Sequence, residues 1–388
     1  MRVAISGAGV AGTTLAYWLH RIGHTPVMIE QAPQFRTGGY VIDFWGVGYR
    51  VAQRMGIEDH IRDAGYEMDR VRSVGQDGSN QAELDVEVFR RILGEGFTSL
   101  PRGELAATIY HTVEGEVETR FGDSITAIDQ HGDGVALTFD HASAETFDLV
   151  VGADGLHSNV RQLEFGPEAD YLHYLGCKVA ACVVDGYRPR DDLVYVTYSR
   201  PCRQIARFAL RGDRTMFLFV FRSQHNTDEY SPIQQLHNEF GNLGWECPQI
   251  LAAVDEVDDL YFDVVSQVKM DRWSRDRVLL IGDAAACISL LGGEGTGLAM
   301  TEAYVAAGEL VRAAGDHRRA FDEYEGRLRP LIRTKQDGAR RLIGFFATRT
   351  RFGLWFRNVA IRTMNFSPLA TLLSGSVRDD IELPDYAM

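Results

Sequence analysis

Short apolar runs and amphipathic stretches alternate at the start of the chain. Val3-Ala4-Ile5 reads as a buried strand, and Ala11, Leu15, Trp18, Leu19 and Ile22 recur at helical spacing. Gly23 ends that helix, and Val27-Met28-Ile29 is a second strand closing on Glu30. Two strands joined through a helix make a parallel pair, so the first thirty residues predict a βαβ unit. The same style returns at 147–151, followed by Gly152-Ala153-Asp154-Gly155, and at 278–281, followed by Gly282-Asp283. A long helix is expected from near Leu298 to about Ala314, and the chain is helical again from about 318, with arginine-rich faces.

Residues 171–268 differ. Segments 177–184, 193–198, 204–210, 215–221 and 260–268 are rich in β-branched and aromatic residues, with turn-like joins such as Arg211-Gly212-Asp213-Arg214. This predicts an antiparallel sheet inserted into an α/β unit. Phe208, Phe217, Phe219, Phe221 and Tyr195 on these strands are candidates to line a substrate cavity, and Arg203 or Arg207 to meet a substrate oxyanion. For any single ring a core position is the commoner role, and for either arginine a solvated one.

Composition narrows the classes. The 388 residues carry 40 Lys+Arg against 54 Asp+Glu, a net charge of −14 that argues against nucleic acid as a partner. A content of 45% hydrophobic and 24% charged residues excludes a disordered or fibrous chain. The five cysteines (177, 182, 202, 247, 287) are widely spaced with no CxxC, which speaks against a disulfide framework or a zinc site. Cys177 and Cys182 stand five apart on an expected strand, so they face opposite sides. No apolar run reaches the ~20 residues needed to span a bilayer, and no signal peptide precedes Val3, so a cytoplasmic protein is expected. There is no HExxH, GxSxG or W-x-W motif.

Chemistry enters with Gly7-Ala8-Gly9-Val10-Ala11-Gly12, a GxGxxG turn after a strand and opening a helix. Gly7 permits the tight turn, Gly9 lets the backbone approach a pyrophosphate, and Gly12 allows close helix–strand packing. Glu30 ends the second strand, where a carboxylate bonds ribose hydroxyls and repels a 2′-phosphate, so the bound dinucleotide is NAD or FAD. Two further segments point to FAD. Asp283 at a strand end suits a ribityl or ribose hydroxyl, and Gly292-Gly293-Glu294-Gly295-Thr296-Gly297 would bring a second helix N-terminus to a reduced flavin ring. The other is the Asp-Gly segment from Gly152 to Arg161, with Asp154.

In this order the three motifs resemble those of the class A, single-component FAD-dependent monooxygenases, whose type enzyme is p-hydroxybenzoate hydroxylase. The branch with tetracycline-inactivating and other actinobacterial monooxygenases is the most similar, and the resemblance runs to about residue 320. It implies an α/β fold: a Rossmann-like FAD-binding domain with an inserted antiparallel β-sheet substrate domain and C-terminal helices. The expected division is 1–72, 98–170 and 266–320 for the FAD domain, 73–97 and 171–265 for the substrate domain, and 321–388 for the helical segment.

The resemblance also implies that Arg102 lies near the FAD pyrophosphate, Asp43 beside the isoalloxazine, and Arg36 near a nicotinamide cofactor. Gly293, Gly295, Thr296, Gly297 and Asp283 would contact the flavin, and Gly7, Gly9, Ala11, Gly12, Glu30, Gln31 and Asp154 the rest of the dinucleotide. Three departures stand out: Ala286 replaces a common histidine, Ser289-Leu290 a common proline, and Gln31 a basic residue.

The implied reaction hydroxylates a hydrophobic aromatic or polyketide-like small molecule with O2, through a flavin hydroperoxide. NADPH or NADH acts as transient reductant, since no second GxGxxG exists. A catalytic side chain and a metal are not expected, and the chain is a monomer or homodimer. A same-fold flavin reductase or dehydrogenase, or a non-catalytic binder, stays open as an alternative. The stretch 339–377 holds six arginines and no acid, interleaved with aromatics. It is expected to pack on the acidic body and bury its aromatics, the alternative being a membrane-surface element.

Overall fold

A computed structural model describes residues 1–35, 40–88, 90, 96–226, 230–365 and 382–388. Its centre is a six-stranded sheet ordered Ser274–Arg275, Val278–Leu280, Leu149–Gly152, Arg2–Ser6, Thr25–Glu30, Glu118–Phe121, parallel except for the first strand. The four inner strands are apolar at their centres because they are covered on both faces. Helices share that core with the antiparallel strands Ile125–Gln130, Val135–Phe139 and Glu145–Phe147. The register places Ser6 beside Gly152 and Gly152 beside Leu280. The three motif-bearing turns therefore leave the sheet side by side at its carboxyl edge, where open α/β sheets bind ligands. The helix Val10–Arg21 packs on this sheet and the helix Gly295–Arg312 packs on that helix, Trp18 meeting Tyr304 edge-on at 5.1 Å.

The second sheet has seven strands in the order Tyr261–Val268, Leu172–Asp185, Arg214–Arg222, Arg203–Leu210, Val194–Arg200, Arg70–Val74, Asn80–Asp85. The five strands expected between 171 and 268 are all present and pair with one another antiparallel. Arg70–Val74 joins in parallel beside Val194–Arg200 and carries the hairpin strand Asn80–Asp85 with it. On one face, Phe217, Phe219 and Phe221 pack against the helices Pro232–Phe240 and Cys247–Val254. The first of these helices opens with a capping box in which Ser231 and Gln234 satisfy each other's backbone. A strand alternates its side chains, so these three phenylalanines lie on the side of the sheet away from Tyr40 and Tyr66. They are core residues and do not line the cleft.

Arg207 is on that same outer side, held by Asp191 and Glu246, and Arg203 pairs with Glu239. Neither is available to a substrate in the cleft. Cys177 and Cys182 fall in the clusters on opposite faces, as strand parity requires, and all five thiols are free.

The chain ends in the helices His317–Phe346 and Arg351–Met364. The second docks on the seven-stranded sheet through buried Arg357 and Ile361. Its aromatics do not follow: Phe352, Trp355 and Phe356 are exposed. The expected burial fails because Arg357, not a ring, occupies the contact with Gln204 and Ser199. No described helix is long and apolar enough to cross a membrane, and no described group of His, Cys, Asp and Glu has the grouping to hold a metal.

Candidate functional site

At the carboxyl edge of the parallel sheet the first turn is built almost entirely from backbone. Gly7 has φ +99°, and a Cβ there would lie 2.6 Å from the Ala153 carbonyl oxygen. A Cβ on Gly12 would lie 2.0 Å from the Gly7 carbonyl oxygen, so only hydrogen lets the helix start this close to its strand. Gly9 is the opposite case: a Cβ would meet nothing within 4 Å, because the turn faces open space there. Gly9 caps the helix Val10–Arg21, and no side chain bonds to its first N–H groups from the cap position. An anion fits that space, where the helix dipole is positive. The Glu30 carboxylate accepts from the N–H of Ala8 and of Ala32, both at 2.9 Å. It thereby pins the glycine turn to the end of the second strand and keeps lone pairs for a ribose. Gln31 beside it is exposed.

The second turn sets Asp154 among internal partners. Its carboxylate accepts from Ser6 Oγ at 3.2 Å, Ser158 Oγ at 2.5 Å and the Val160 N–H at 3.0 Å. The structure thus places Asp154 under the glycine turn, as a brace between two strand ends. Arg161, wholly buried, runs from this segment to the third turn and donates to the Ala284 carbonyl at 2.9 Å.

The third turn begins at Gly282, with φ +62°, whose ideal Cβ would lie 3.1 Å from the Ala11 methyl. The N–H of Gly282 donates to Glu302 at 2.6 Å, and Tyr324 donates to the same carboxylate at 3.0 Å. Glu302 is buried with no cation beside it, which pushes its pKa up to about 8 despite those two bonds. Asp283 follows, its carboxyl also raised by burial and opposed by the charge of Arg102. The first residue of the long helix, Gly295, stands 3.8 Å from Asp283 when its ideal Cβ is measured to Oδ1. A second helix N-terminus therefore opens on the same space.

Not every glycine of that run serves the opening. A Cβ on Gly48 would approach the Gly297 Cα to 2.3 Å, so Gly297 lets the helix Gly46–Met55 cross the helix Gly295–Arg312 in contact. Gly293, with φ +73°, turns the chain under the Trp45 ring, and Thr296 is half-buried in the first turn of the long helix. Glu294 is ion-paired with the buried Lys335, and Gln267 and Gln336 exchange amide bonds with the backbone of 287–288 and of one another's elements. These contacts hold the loop that replaces the expected proline, in which Ser289 has φ +104°.

Opposite these turns lies the inner side of the seven-stranded sheet. Tyr40 and Tyr261 tilt together with ring centroids 5.6 Å apart, and Tyr195 lies 6.2 Å from Phe208. The strand Val41–Phe44 carries Asp43, which accepts from Ser99 Oγ at 2.5 Å. Asp43 is reached by solvent yet set deep among protein atoms, and this raises its pKa. Burial raises Tyr40 to about 12 and lifts Tyr195 and Tyr261 further, so all three phenols are neutral at pH 7. Tyr261 donates its hydrogen to Asp263 Oδ2 at 3.2 Å and keeps its oxygen as an acceptor. Arg102 is exposed in this space, its charge felt by Tyr40, Tyr261 and Asp283, and no carboxylate among the described residues forms an ion pair with it. Arg36, Gly38 and Gly39 lie outside the described residues.

The residues present fit FAD: an open approach over Gly9, two helix N-termini, a cation at Arg102 with no carboxylate partner among the described residues, and Glu30 and Asp283 at two strand ends. The sequence motifs marked most of this set. Arg161 closes the Asp-Gly segment, whereas Glu302, Tyr324, Gln267 and Gln336 carried no motif, and only their burial and bonding reveal them.

A glycine-turn βαβ edge facing an antiparallel sheet is the mixed α/β arrangement of FAD-binding enzymes. The sequence profile of the FAD-binding-domain family matches residues 1–335. A flavin-dependent monooxygenase from an unknown prokaryotic organism is 34% identical over 340 residues, 87% of either chain. One from Legionella longbeachae is 33% identical over 369 residues, 92% of this chain and 88% of that one. The crystal structure of the tetracycline destructase Tet(51) superposes with a TM-score of 0.84 at 30% identity, covering 99% of both chains. The chain belongs to this family, the FAD-dependent monooxygenases, and is an oxidoreductase of that kind.

Proposed function

We propose that this monooxygenase consumes NADPH or NADH and O2 in the cytoplasm to hydroxylate a hydrophobic, multi-ring aromatic or polyketide-like compound. The observation that carries the reading is the pairing of two unlike walls across one cleft. One wall presents the N–H ends of two helices, Arg102 and Asp283; the other presents neutral Tyr40, Tyr195 and Tyr261. The likeness to tetracycline destructases supports a multi-ring substrate. Bound FAD would supply the activation of O2. The chain's own residues would bind its pyrophosphate over Gly9 with Arg102, its ribose at Glu30 and its ribityl chain at Asp283. Gly293, Gly295 and Thr296 would flank the ring, and Asp154 and Gly297 would hold the turns that do so. Tyr40 and Tyr195 would orient the substrate's carbonyl and phenol oxygens as donors, Tyr261 would accept from a substrate hydroxyl, and the two sheets would exclude water from the reacting face. The division into a three-stretch cofactor domain and an inserted substrate domain belongs to the same proposal.

The test is NADPH oxidation by the purified yellow protein against a set of polyphenolic multi-ring compounds under labelled O2. The expected result is stimulated oxidation and one labelled oxygen atom per product molecule. Reduced product without label would assign a reductase instead, and bound compound with no stimulated oxidation would assign a binder.

A further inference from the structure

The helix Arg351–Met364 has two apolar sides. One is turned to the protein: Ile361 is buried, and Arg357 donates to Gln204, to Ser199 and to the Phe345 carbonyl, each at 3.0 Å. The other carries Phe352, Trp355 and Phe356, at 73%, 60% and 62% exposure, with Phe352 and Trp355 stacked at 5.7 Å. The Arg357 bond to Phe345 joins this ridge to the end of the preceding helix, where Leu342 and Phe345 are also exposed. The other exposed large hydrophobics among the described residues, Leu163, Tyr230 and Val311, are scattered singly. Exposed apolar side chains thus gather in one place, which marks an interaction surface.

The charge around that place is of one sign. Arg340, Arg341, Arg349, Arg351 and Arg362 are exposed there and form no ion pair among the described residues, and residues 339–365 contain no acid. On the exposed side of the last helix, Arg351 and Arg362 flank the rings at helical spacing. The rest of the chain is consequently more acidic than its total of −14.

A second copy of the chain is a poor occupant. Pairing ridge to ridge sets five arginines against five, and elsewhere the described surface offers only single apolar side chains to receive the rings. We propose that this face docks reversibly on an anionic lipid surface. Such a surface supplies both complements at once: negative headgroups for the arginines and an interfacial layer in which Trp and Phe partition. The acidic body is repelled by the same headgroups, so only the ridge touches, and salt weakens the contact.

The test pellets the flavin-loaded protein with vesicles of phosphatidylglycerol and, separately, of phosphatidylcholine. Partition into the anionic vesicles should exceed that into the neutral ones at least about tenfold and collapse in high salt. Phe352→Ser with Trp355→Ser should abolish it, and each of Arg341→Gln and Arg351→Gln should lower it about fivefold. Flavin content and melting temperature, measured on each variant, should stay at the parent values, which separates lost docking from lost folding. No partition by the parent protein, or partition unchanged in the variants, overturns the proposal. A concentration-dependent dimer in sedimentation that Trp355→Ser dissolves also overturns it, assigning the ridge to a second copy.

Discussion

The two walls of the cleft are built by different means. The cofactor wall is backbone: turns at Gly7, Gly12 and Gly282 whose shape exists only because a Cβ is missing or φ is positive. The tyrosine wall is side chain: Tyr195 and Tyr261 are placed by strand parity in a sheet whose other face is filled with Phe217, Phe219 and Phe221, and Tyr40 joins them from the loop before Val41–Phe44. A backbone-built wall tolerates almost no substitution, whereas a side-chain wall can change its specificity one residue at a time.

The sharpest way to break this contrast is Gly12→Val. Its Cβ would sit 2.0 Å from the Gly7 carbonyl oxygen, so the helix must leave its strand. We expect protein without flavin and largely unfolded, read by absorbance and circular dichroism. Phe219→Ala comes next. It should cost about 3–5 kcal/mol in urea titration through the cavity it leaves, while kcat/KM of the surviving fold stays near the parent value because the ring lies outside the cleft. Tyr261→Phe should be mildest in stability, raising KM about tenfold through one lost hydrogen bond to substrate, with flavin content intact.

A fourth prediction concerns pH. Glu302 has its folded pKa raised by burial from the ordinary 4.5 to about 8. The native state therefore holds this proton more tightly than the unfolded chain, and stability declines as pH rises from about 4.5 to about 8. Glu302→Gln keeps an acceptor for the Gly282 N–H and removes the titration. Its urea midpoint should show less decline across pH 5 to 8 than the parent does.

What was legible in the sequence follows the same division. Gly7, Gly9, Gly12 and Gly282-Asp283 could be read because a backbone requirement writes itself as glycine at fixed spacing. The five inserted strands could be read from their β-branched and aromatic runs. Which side each strand turns inward could not, because parity depends on register with distant partners, and so the three phenylalanines were candidates for the wrong side. The resemblance placed 73–97 with this sheet, but the strand begins earlier, at Arg70, and its parallel pairing with Val194–Arg200 is a long-range choice with no local mark. The helix Pro232–Phe240 did leave a mark, the Ser231–Gln234 capping box before an apolar repeat. Asp154 stands in a recognisable motif, yet its three protein donors show that a motif acid can brace a turn.

The central claim is that FAD is held by the turn wall and substrate by the tyrosine wall. FAD titration of deflavinated protein, compared among the parent, Asp283→Ala and Tyr261→Phe, tests it most directly. The account predicts one FAD per chain for the parent, binding weakened at least about tenfold in Asp283→Ala through loss of a buried hydroxyl partner, and parent-like binding in Tyr261→Phe. Parent-like FAD affinity in Asp283→Ala, or an equal loss in Tyr261→Phe, would contradict it.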